Sequence, residues 1–161
     1  MVSLKLVRIG GETVAVETRP CGDCTLCCKL LRIKKSDQFP FDKAAGEWCR
    51  HCSPGAGCTI FDTGTLPKLC QDYACLWKLA PLNLPEQARP DNLHAILEPL
   101  VLAEFPDENI LKIILDPRYP EHPWLSWYVG MQLEKGTSFL YSNGKILSHK
   151  PQITAALLAI S

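Results

Sequence analysis

Cysteine is the residue type whose spacing in this sequence indicates chemistry. The chain contains nine cysteines, which all lie within 55 consecutive residues, and the last 86 residues contain none. They are Cys21, Cys24, Cys27, Cys28, Cys49, Cys52, Cys58, Cys70 and Cys75. Closely spaced thiols on short loops are the ligands that thiophilic metals require. The sequence therefore predicts a cysteine-rich metal site.

The spacing of the first cysteines leaves two kinds of site open. The run Cys21-x2-Cys24-x2-Cys27 can place three thiolates around one ion or one cluster, because a two-residue gap lets the backbone turn. The same triple spacing opens the bacterial ferredoxin run for iron–sulfur clusters. Paired Cys-x2-Cys is equally the unit of zinc knuckles, and Cys49-x2-Cys52 supplies a second pair.

Two pairs of cysteines constrain how the ligands can be shared. Neighbouring side chains diverge in a strand and in a helix, so Cys27 and Cys28 are expected to serve two metals, or one of them to bridge. On a continuous helix, Cys70 and Cys75 would lie about 140° apart. If both bind one site, the helix must start late or break between them.

The number of thiols favours zinc. A single four-iron cluster needs about four thiolates and would leave the other cysteines unexplained. Two tetrahedral zinc ions need about eight, and three zinc ions with bridging sulfurs are an alternative. We therefore expect more than one zinc ion, with an iron–sulfur cluster as the alternative and metal-free thiol chemistry as a third hypothesis. An odd number of cysteines disfavours a disulfide framework.

The sequence around the cysteines also resembles a known family. The residues that carry the resemblance are Cys21-Gly-Asp-Cys-Thr-Leu-Cys-Cys28, Trp48-Cys49, Gly57-Cys58-Thr-Ile-Phe61, Pro67-x2-Cys70 and Tyr73-Ala-Cys75-Leu-Trp77. Their order and spacing, CxxCxxCC followed by GCxIF and a final cysteine pair, resemble the YkgJ-type cysteine-cluster family. That family is described as a zinc- or iron-chelating domain. The match covers about residues 20–78, a little over a third of the chain.

The resemblance implies a metal site but no reaction. It implies metal binding through Cys21, Cys24, Cys27, Cys28, Cys49, Cys58, Cys70 and Cys75. Cys52 is outside the family's core pattern, which makes it the expected spare thiol or a ligand special to this branch. The family usually has Arg-Pro before the first of the final two cysteines, where this chain has Leu66-Pro67. A charge-offsetting role of that arginine is therefore missing here or has moved to Lys68.

Other polar and aromatic residues give weaker signals. His51 could bind metal, but a surface position or one beside the ligands is favoured, and the other three histidines are expected at ordinary surface positions. The basic residues Lys29, Arg32, Lys34 and Lys35 could offset thiolate charge, although a solvated face is favoured. Helix packing is favoured for Trp124, Trp127 and Tyr128. No paired acid and base, P-loop, dinucleotide fingerprint or GxSxG motif is recognisable, so catalytic residues stay unknown and we leave open whether the protein is an enzyme.

The elements that must position the cysteines predict an α+β fold. Two hairpins are expected around Gly10-Gly11 and Asn143-Gly144, where residues that tolerate positive φ separate β-rich runs. Further strands are expected at 93–97, 100–104 and 109–115, and helices at 65–79, 124–135 and 151–160. We therefore predict a small antiparallel sheet with hairpins and two or three helices, plus a loop-rich cysteine region. A single domain, 1–161, would contain the cysteine region 20–78, a connector 81–90 and an α+β C-terminal region 91–161.

Composition and charge limit the classes of partner that the protein is expected to bind. The 17 basic and 17 acidic residues give a net charge of +0, which argues against nucleic acid as a partner. No apolar run approaches the roughly 20 residues of a membrane span, and we see no signal peptide, so we expect a cytoplasmic protein without a membrane partner. Three hypotheses remain: a metal that chiefly holds the fold, a redox protein with an iron–sulfur cluster or dithiol, and a zinc-stiffened module with a protein partner.

Overall fold

The computed structural model describes residues 3–9, 12–79 and 82–161. Within these ranges the chain forms five α-helices, eight β-strands and 3-10 turns at Leu76–Lys78 and Glu86–Ala88. The helices are α1 (Leu26–Leu30), α2 (Lys68–Asp72), α3 (Pro90–Leu93), α4 (Pro123–Glu134) and α5 (Pro151–Ile160). The strands are β1 (Ser3–Ile9), β2 (Glu12–Thr18), β3 (Cys52–Ser53), β4 (Gly57–Cys58), β5 (Ala95–Leu102), β6 (Phe105–Leu115), β7 (Ser138–Tyr141) and β8 (Ile146–Leu147). The predicted α+β class is confirmed.

The largest sheet is mixed rather than wholly antiparallel. Its order is β5-β6-β7-β8, and the outer pairs, β5–β6 and β7–β8, are antiparallel. The central pair, β6–β7, is parallel because the 12-residue helix α4 carries the chain back across the sheet. The strands expected separately at 93–97 and 100–104 form one strand, β5, with an irregular register between Leu100 and Leu102.

Both predicted hairpins form. β1 and β2 pair antiparallel with Ile9 opposite Glu12, while the predicted turn residues Gly10 and Gly11 lie outside the described residues. The second hairpin has a three-residue loop instead of the predicted two. The Tyr141 amide donates to the Lys145 carbonyl at 2.8 Å, and Gly144 adopts a φ of 88°. A turn followed by a left-handed glycine is the usual three-residue hairpin loop.

The long helices begin and end close to where the sequence predicts. After α4, Gly136 adopts a φ of 89°, and the amides of Gly136 and Thr137 each donate to a carbonyl of the last turn at 3.0 Å. The helix expected over 65–79, with Thr65 as its cap, is not continuous. It consists of α2, whose first residue follows Pro67, an extended segment and the 3-10 turn at Leu76–Lys78. Cys70 and Cys75 therefore lie on different elements.

The main sheet has helices on both faces. One face packs on α4, with Leu125 and Val129 of the helix against Ala95, Ile113 and Phe139. The other face packs on two helices at opposite ends of the sheet. Ile96 and Ile114 contact Leu26 and Leu30 of α1, and Ile110 and Leu140 contact Ile153 and Leu157 of α5. The cysteine region is thus packed directly on the C-terminal sheet.

Helix length and polarity also bear on membranes. The longest helix, α4, has 12 residues. Within the part of the chain that the structure describes, none of the helices has the length and apolarity needed to cross a bilayer.

Candidate metal centre

The short helix α1 distributes the first cysteines. The Cys24 amide donates to the Cys21 carbonyl at 3.2 Å, and the Cys28 amide donates to the Thr25 carbonyl at 2.9 Å. These bonds turn the chain so that it enters α1 with Cys27 and Cys28 on the helix itself. Successive helical side chains diverge by about 100°. Cys27 consequently packs in a different cluster from Cys28.

Four cysteines form what we term the first cysteine group: Cys21, Cys24, Cys27 and Cys75. Cys24, Cys27 and the buried Cys75 pack in one apolar cluster with Leu26 and Trp77. Cys21 is close enough to Cys27 and Cys75 for a charge on one sulfur to affect the ionisation of another. The group therefore joins the loop before α1 to the 3-10 turn near residue 76.

The remaining five form the second cysteine group: Cys28, Cys49, Cys52, Cys58 and Cys70. The Cys28 and Cys52 side chains hydrogen-bond each other. The Cys49 amide donates to the Cys28 carbonyl at 2.9 Å, and the Cys52 amide donates to the Cys49 carbonyl at 3.0 Å. Strands β3 and β4 pair Cys52 with Cys58, and Cys70 packs in the same cluster as Cys28, Cys49 and Cys52.

The thiols are gathered but do not yet enclose an ion. All nine are free cysteines. Across residues 3–9, 12–79 and 82–161, no three or more His, Cys, Asp or Glu side chains are arranged to hold a metal ion as they stand. A thiolate site forms only when its ligands lose their protons and turn towards the ion. Cys21, Cys24, Cys49 and Cys75 lie on loops, and the other five lie on helices or strands of 5 residues or fewer.

Burial keeps most of the thiols protonated in the metal-free protein. Burial raises the pKa of Cys24 to about 12 and those of Cys70 and Cys75 to about 11. Cys27 is the exception, because a hydrogen bond from Cys28 stabilises its thiolate and lowers its pKa to about 7. The pKa of Cys28 is raised accordingly, since the shared proton stays on its sulfur. Neutral thiols can lie this close together without repulsion, whereas nearby thiolates need a cation.

The basic residues beside the cysteines are placed differently from the sequence prediction. Lys29 is buried and forms an ion pair with Asp116, so it neither lies on a solvated face nor offsets thiolate charge. Lys68 is exposed and pairs with Asp72 at 2.8 Å, and it does not replace the family's arginine. The ammonium group of Lys78 hydrogen-bonds the Cys21 sulfur instead. Arg32, Lys34 and Lys35 are exposed, as expected.

Three histidines contact residues other than the cysteines. The ring of His51 lies 5.8 Å from that of Phe41, in agreement with a position beside the ligands. His122 is not an ordinary surface residue, because its Nδ1 accepts from the Trp124 amide at 3.1 Å and caps α4. His94 stacks on Tyr119 with ring centroids 3.6 Å apart.

The aromatic residues of α4 behave largely as packing residues. Trp124 and Tyr128 stack with centroids 4.9 Å apart, as helix packing predicts. Trp127 is 60% exposed and therefore lies outside that core.

Two residues of the centre were not among the expected ligands. Cys52 contacts Cys28, although the resemblance makes it the expected spare thiol. The spacing Cys49-x2-Cys52 was the signal that could have placed it. Asp91, in the first turn of α3, accepts a hydrogen bond from the Cys24 thiol and is held by Arg89 Nε at 2.6 Å. Asp91 is far from Cys24 in the sequence, so no local pattern predicts that the two side chains meet.

Comparison with known proteins adds no relative. No protein-family model, no curated protein and no solved structure matches this chain. The resemblance to the YkgJ-type family consequently rests on the cysteine pattern, and membership stays a prediction.

Proposed function

We propose that this protein binds two zinc ions, one in each cysteine group, and that the ions chiefly hold the fold. The observation that carries the proposal is that Cys24, Cys27 and Cys75 pack in one cluster while Cys28, Cys49, Cys52 and Cys70 pack in another. Four thiolates complete a tetrahedral zinc site, and closed sites of this kind are structural. The second group has one thiol more than such a site needs.

The structural role follows from what the groups connect. The first group ties Cys21, Cys24 and Cys27 to Cys75, and the second ties Cys28 to residues 49–70. Between these positions regular structure is short, with two helices of 5 residues and two strands of 2 residues. Metal–thiolate bonds stabilise regions whose apolar core is too small to do so alone. We place the protein in the cytoplasm, where thiols stay reduced.

Metal content and colour together test the proposal. Protein purified without oxygen or chelator should be colourless and contain about 2 zinc ions per chain. A thiol titration before and after zinc removal should show the cysteines protected by metal and then freed. Metal below about 0.2 per chain would refute metal binding, since a site that holds the fold is filled in folded protein.

A redox function is the second candidate. The observation that favours it is the low pKa of Cys27, about 7, which is typical of reactive thiols. The first group also supplies the four thiolates that an iron–sulfur cluster needs. Brown protein that absorbs near ~400 nm and contains iron and sulfide would favour this function over the zinc proposal.

A further inference from the structure

The N-terminal hairpin carries a lysine on its inward face. Lys5 lies opposite Val16 in the strand register and two residues before Val7, so it shares their face of the hairpin. Val7 and Val16 pack in the core beneath α4. The Nζ atom of Lys5 is buried and has no hydrogen-bond partner among the described residues. Burying an ammonium group without a partner costs free energy, so we expect a negative charge near Lys5.

The surroundings of Lys5 show where that counter-charge belongs. The hairpin meets the segment that carries Cys75, because Thr18 pairs with Leu79 and the Arg19 amide donates to the Lys78 carbonyl at 2.9 Å. The groups whose charges act on the Lys5 ammonium include Lys78, Asp72, Cys21 and Cys75. Lys78 repels it, and Asp72 is exposed and already paired with Lys68 at 2.8 Å. The two thiols belong to the first cysteine group. While they are protonated, they offer Lys5 no negative charge.

The guanidinium group of Arg19 also lacks hydrogen-bond partners for some of its nitrogen atoms among the described residues. The Arg19 guanidinium lies 4.5 Å from the centre of the Trp77 ring, and its Nη1 donates to the Leu84 carbonyl at 3.3 Å. Its Nε and Nη2 atoms are buried without partners in the described part of the chain. Trp77 packs in the same cluster as Cys24, Cys27 and Cys75. The Arg19 guanidinium therefore lies on an aromatic side chain that packs with the first cysteine group.

We propose that Lys5, together with Lys78, compensates the charge of the metal–thiolate complex in the first cysteine group, which makes the N-terminal hairpin part of the metal site. The inference rests on the proposed function. A divalent ion held by four thiolates carries a net charge of about −2, which two ammonium groups offset. Lys5 is a positioning residue here, since it acts on the ligands and does not bind the ion.

The proposal predicts that Lys5→Met weakens zinc retention but does not destabilise the metal-free protein. In Lys5→Met, one of the two zinc ions should pass to a chromophoric chelator at about 10-fold lower chelator concentration than in wild type, the size usual for groups that support metal ligands. Metal-free Lys5→Met should be as stable to urea as metal-free wild type, or more stable, because the unpaired charge is gone. Lys5→Arg should restore zinc retention.

The control is Lys34→Met, which removes an exposed lysine and should change neither form. A second measurement follows amide hydrogen exchange in β1 and β2. Zinc should slow this exchange in wild type and much less in Lys5→Met. Unchanged zinc retention in Lys5→Met, or equal loss of stability in both forms, overturns the inference while leaving zinc binding intact. Wild-type protein that binds no zinc overturns the proposed function and this inference together.

Discussion

At the scale of single residues, the peptide between Cys27 and Cys28 separates two chemical environments. Cys27 lies among Leu26 and Trp77, and Cys28 lies near Phe39 and Ile33. Although the Cys27 and Cys28 side chains hydrogen-bond each other, they pack in different clusters. A substitution elsewhere in one group should therefore release one ion and spare the other. The two groups can therefore be tested one cysteine at a time.

Cys52→Ser tests whether Cys52 is a ligand. We expect the variant to retain about one zinc ion fewer than wild type, or to hold it at least about 10-fold more weakly, because Cys52 contacts Cys28 inside the second group. Elemental analysis after dialysis against a weak chelator measures this. The matched comparison is Cys24→Ser, which should release the other ion. Wild-type zinc content and retention in Cys52→Ser would show that Cys52 is the spare thiol.

The raised thiol pKa values predict that metal-free protein is sensitive to alkali. Folded Cys24 has a pKa of about 12, and Cys70 and Cys75 of about 11, against an ordinary value of 9.0. As the pH rises through 9.0, the unfolded chain loses these protons first and so binds fewer than the folded chain. The stabilisation is thus complete below the ordinary value and is lost towards pH 11 to 12.

Urea unfolding of reduced, metal-free protein at several pH values measures this dependence. The urea midpoint should fall between about pH 8 and about pH 11. It should fall less steeply in Cys24→Ala, which lacks the thiol whose pKa is raised the most of the three. Equal slopes in the two proteins would contradict the assignment to Cys24.

At the scale of elements, a buried ion pair attaches α1 to the end of β6. Lys29 of α1 and Asp116 are 4% and 3% exposed, and Arg118 Nη2 contacts the same carboxylate at 3.0 Å. Lys43 supports the helix from its other side. Its ammonium group donates to the carbonyls of Lys29, Leu31 and Ala44, which include the end of α1. The position of Cys27 and Cys28 therefore depends on the C-terminal sheet.

Asp116→Ala should lower the free energy of unfolding by about 3 kcal/mol or more, because it leaves the Lys29 ammonium buried and unpaired. The double variant Lys29→Met/Asp116→Ala should recover part of that loss. Lys68→Ala, which breaks the exposed pair with Asp72, is the control and should cost under about 1 kcal/mol. Urea unfolding compares the four proteins. A double variant less stable than Asp116→Ala would count against this account of the pair.

Sequence predicted those elements that carry their own local signals. Helix α4 has Pro123 at its first position and a left-handed Gly136 after its end, and α5 begins with Pro151. In the cysteine region, a short helix or strand opening at Cys27 and a turn at Pro54-Gly55-Ala56-Gly57 were expected, and α1 and the turn between β3 and β4 lie there. The strands β3 and β4 and the division of the 65–79 helix were missed, because these elements are short and depend on contacts with distant residues. The parallel pairing of β6 with β7 likewise has no local signal.

At the scale of the whole molecule, the two cysteine groups join segments that are far apart in the chain. Regular sheet and long helices dominate the C-terminal region, where α4 and α5 pack on strands β5 to β8. The cysteine region has α1 on that sheet, and elsewhere it consists of loops, a second short helix, two strands of 2 residues and a 3-10 turn. Loss of metal should therefore affect the two regions unequally.

Cys24→Ser should lose metal and raise amide hydrogen exchange across residues 20–78, whereas strands β6 and β7 should keep most of their protection. The reason is that regular structure in the cysteine region is short, so its opening requires less free energy than opening of the sheet once the ion is gone. Exchange monitored by mass spectrometry compares the variant with zinc-loaded wild type. Unchanged protection across 20–78 in metal-free Cys24→Ser would refute a structural role for the metal.

Only part of the candidate site could be predicted from the sequence. A continuous helix was expected over 65–79, and a break between Cys70 and Cys75 was foreseen only for the case in which both thiols bind one site. Cys27 and Cys28 were expected to diverge, yet their side chains hydrogen-bond each other. Membership of the two groups depends on how loops fold onto α1, which residue spacing does not encode. Lys5 and Asp91 reach the first group only through tertiary packing.

The late position of Cys70 and Cys75 has a consequence for synthesis of the chain. Each group includes a thiol from this segment, so the second group has all its thiols only after residue 70, and the first only after residue 75, has left the ribosome. At about 5 to 20 residues per second, Cys27 emerges roughly 2 to 10 seconds before Cys75. During that interval the nascent chain exposes incomplete sets of thiols to cellular oxidants and to competing ions. The release of Cys75 from the ribosome therefore sets the earliest time at which a metal ion in the first group can stabilise the newly synthesised protein.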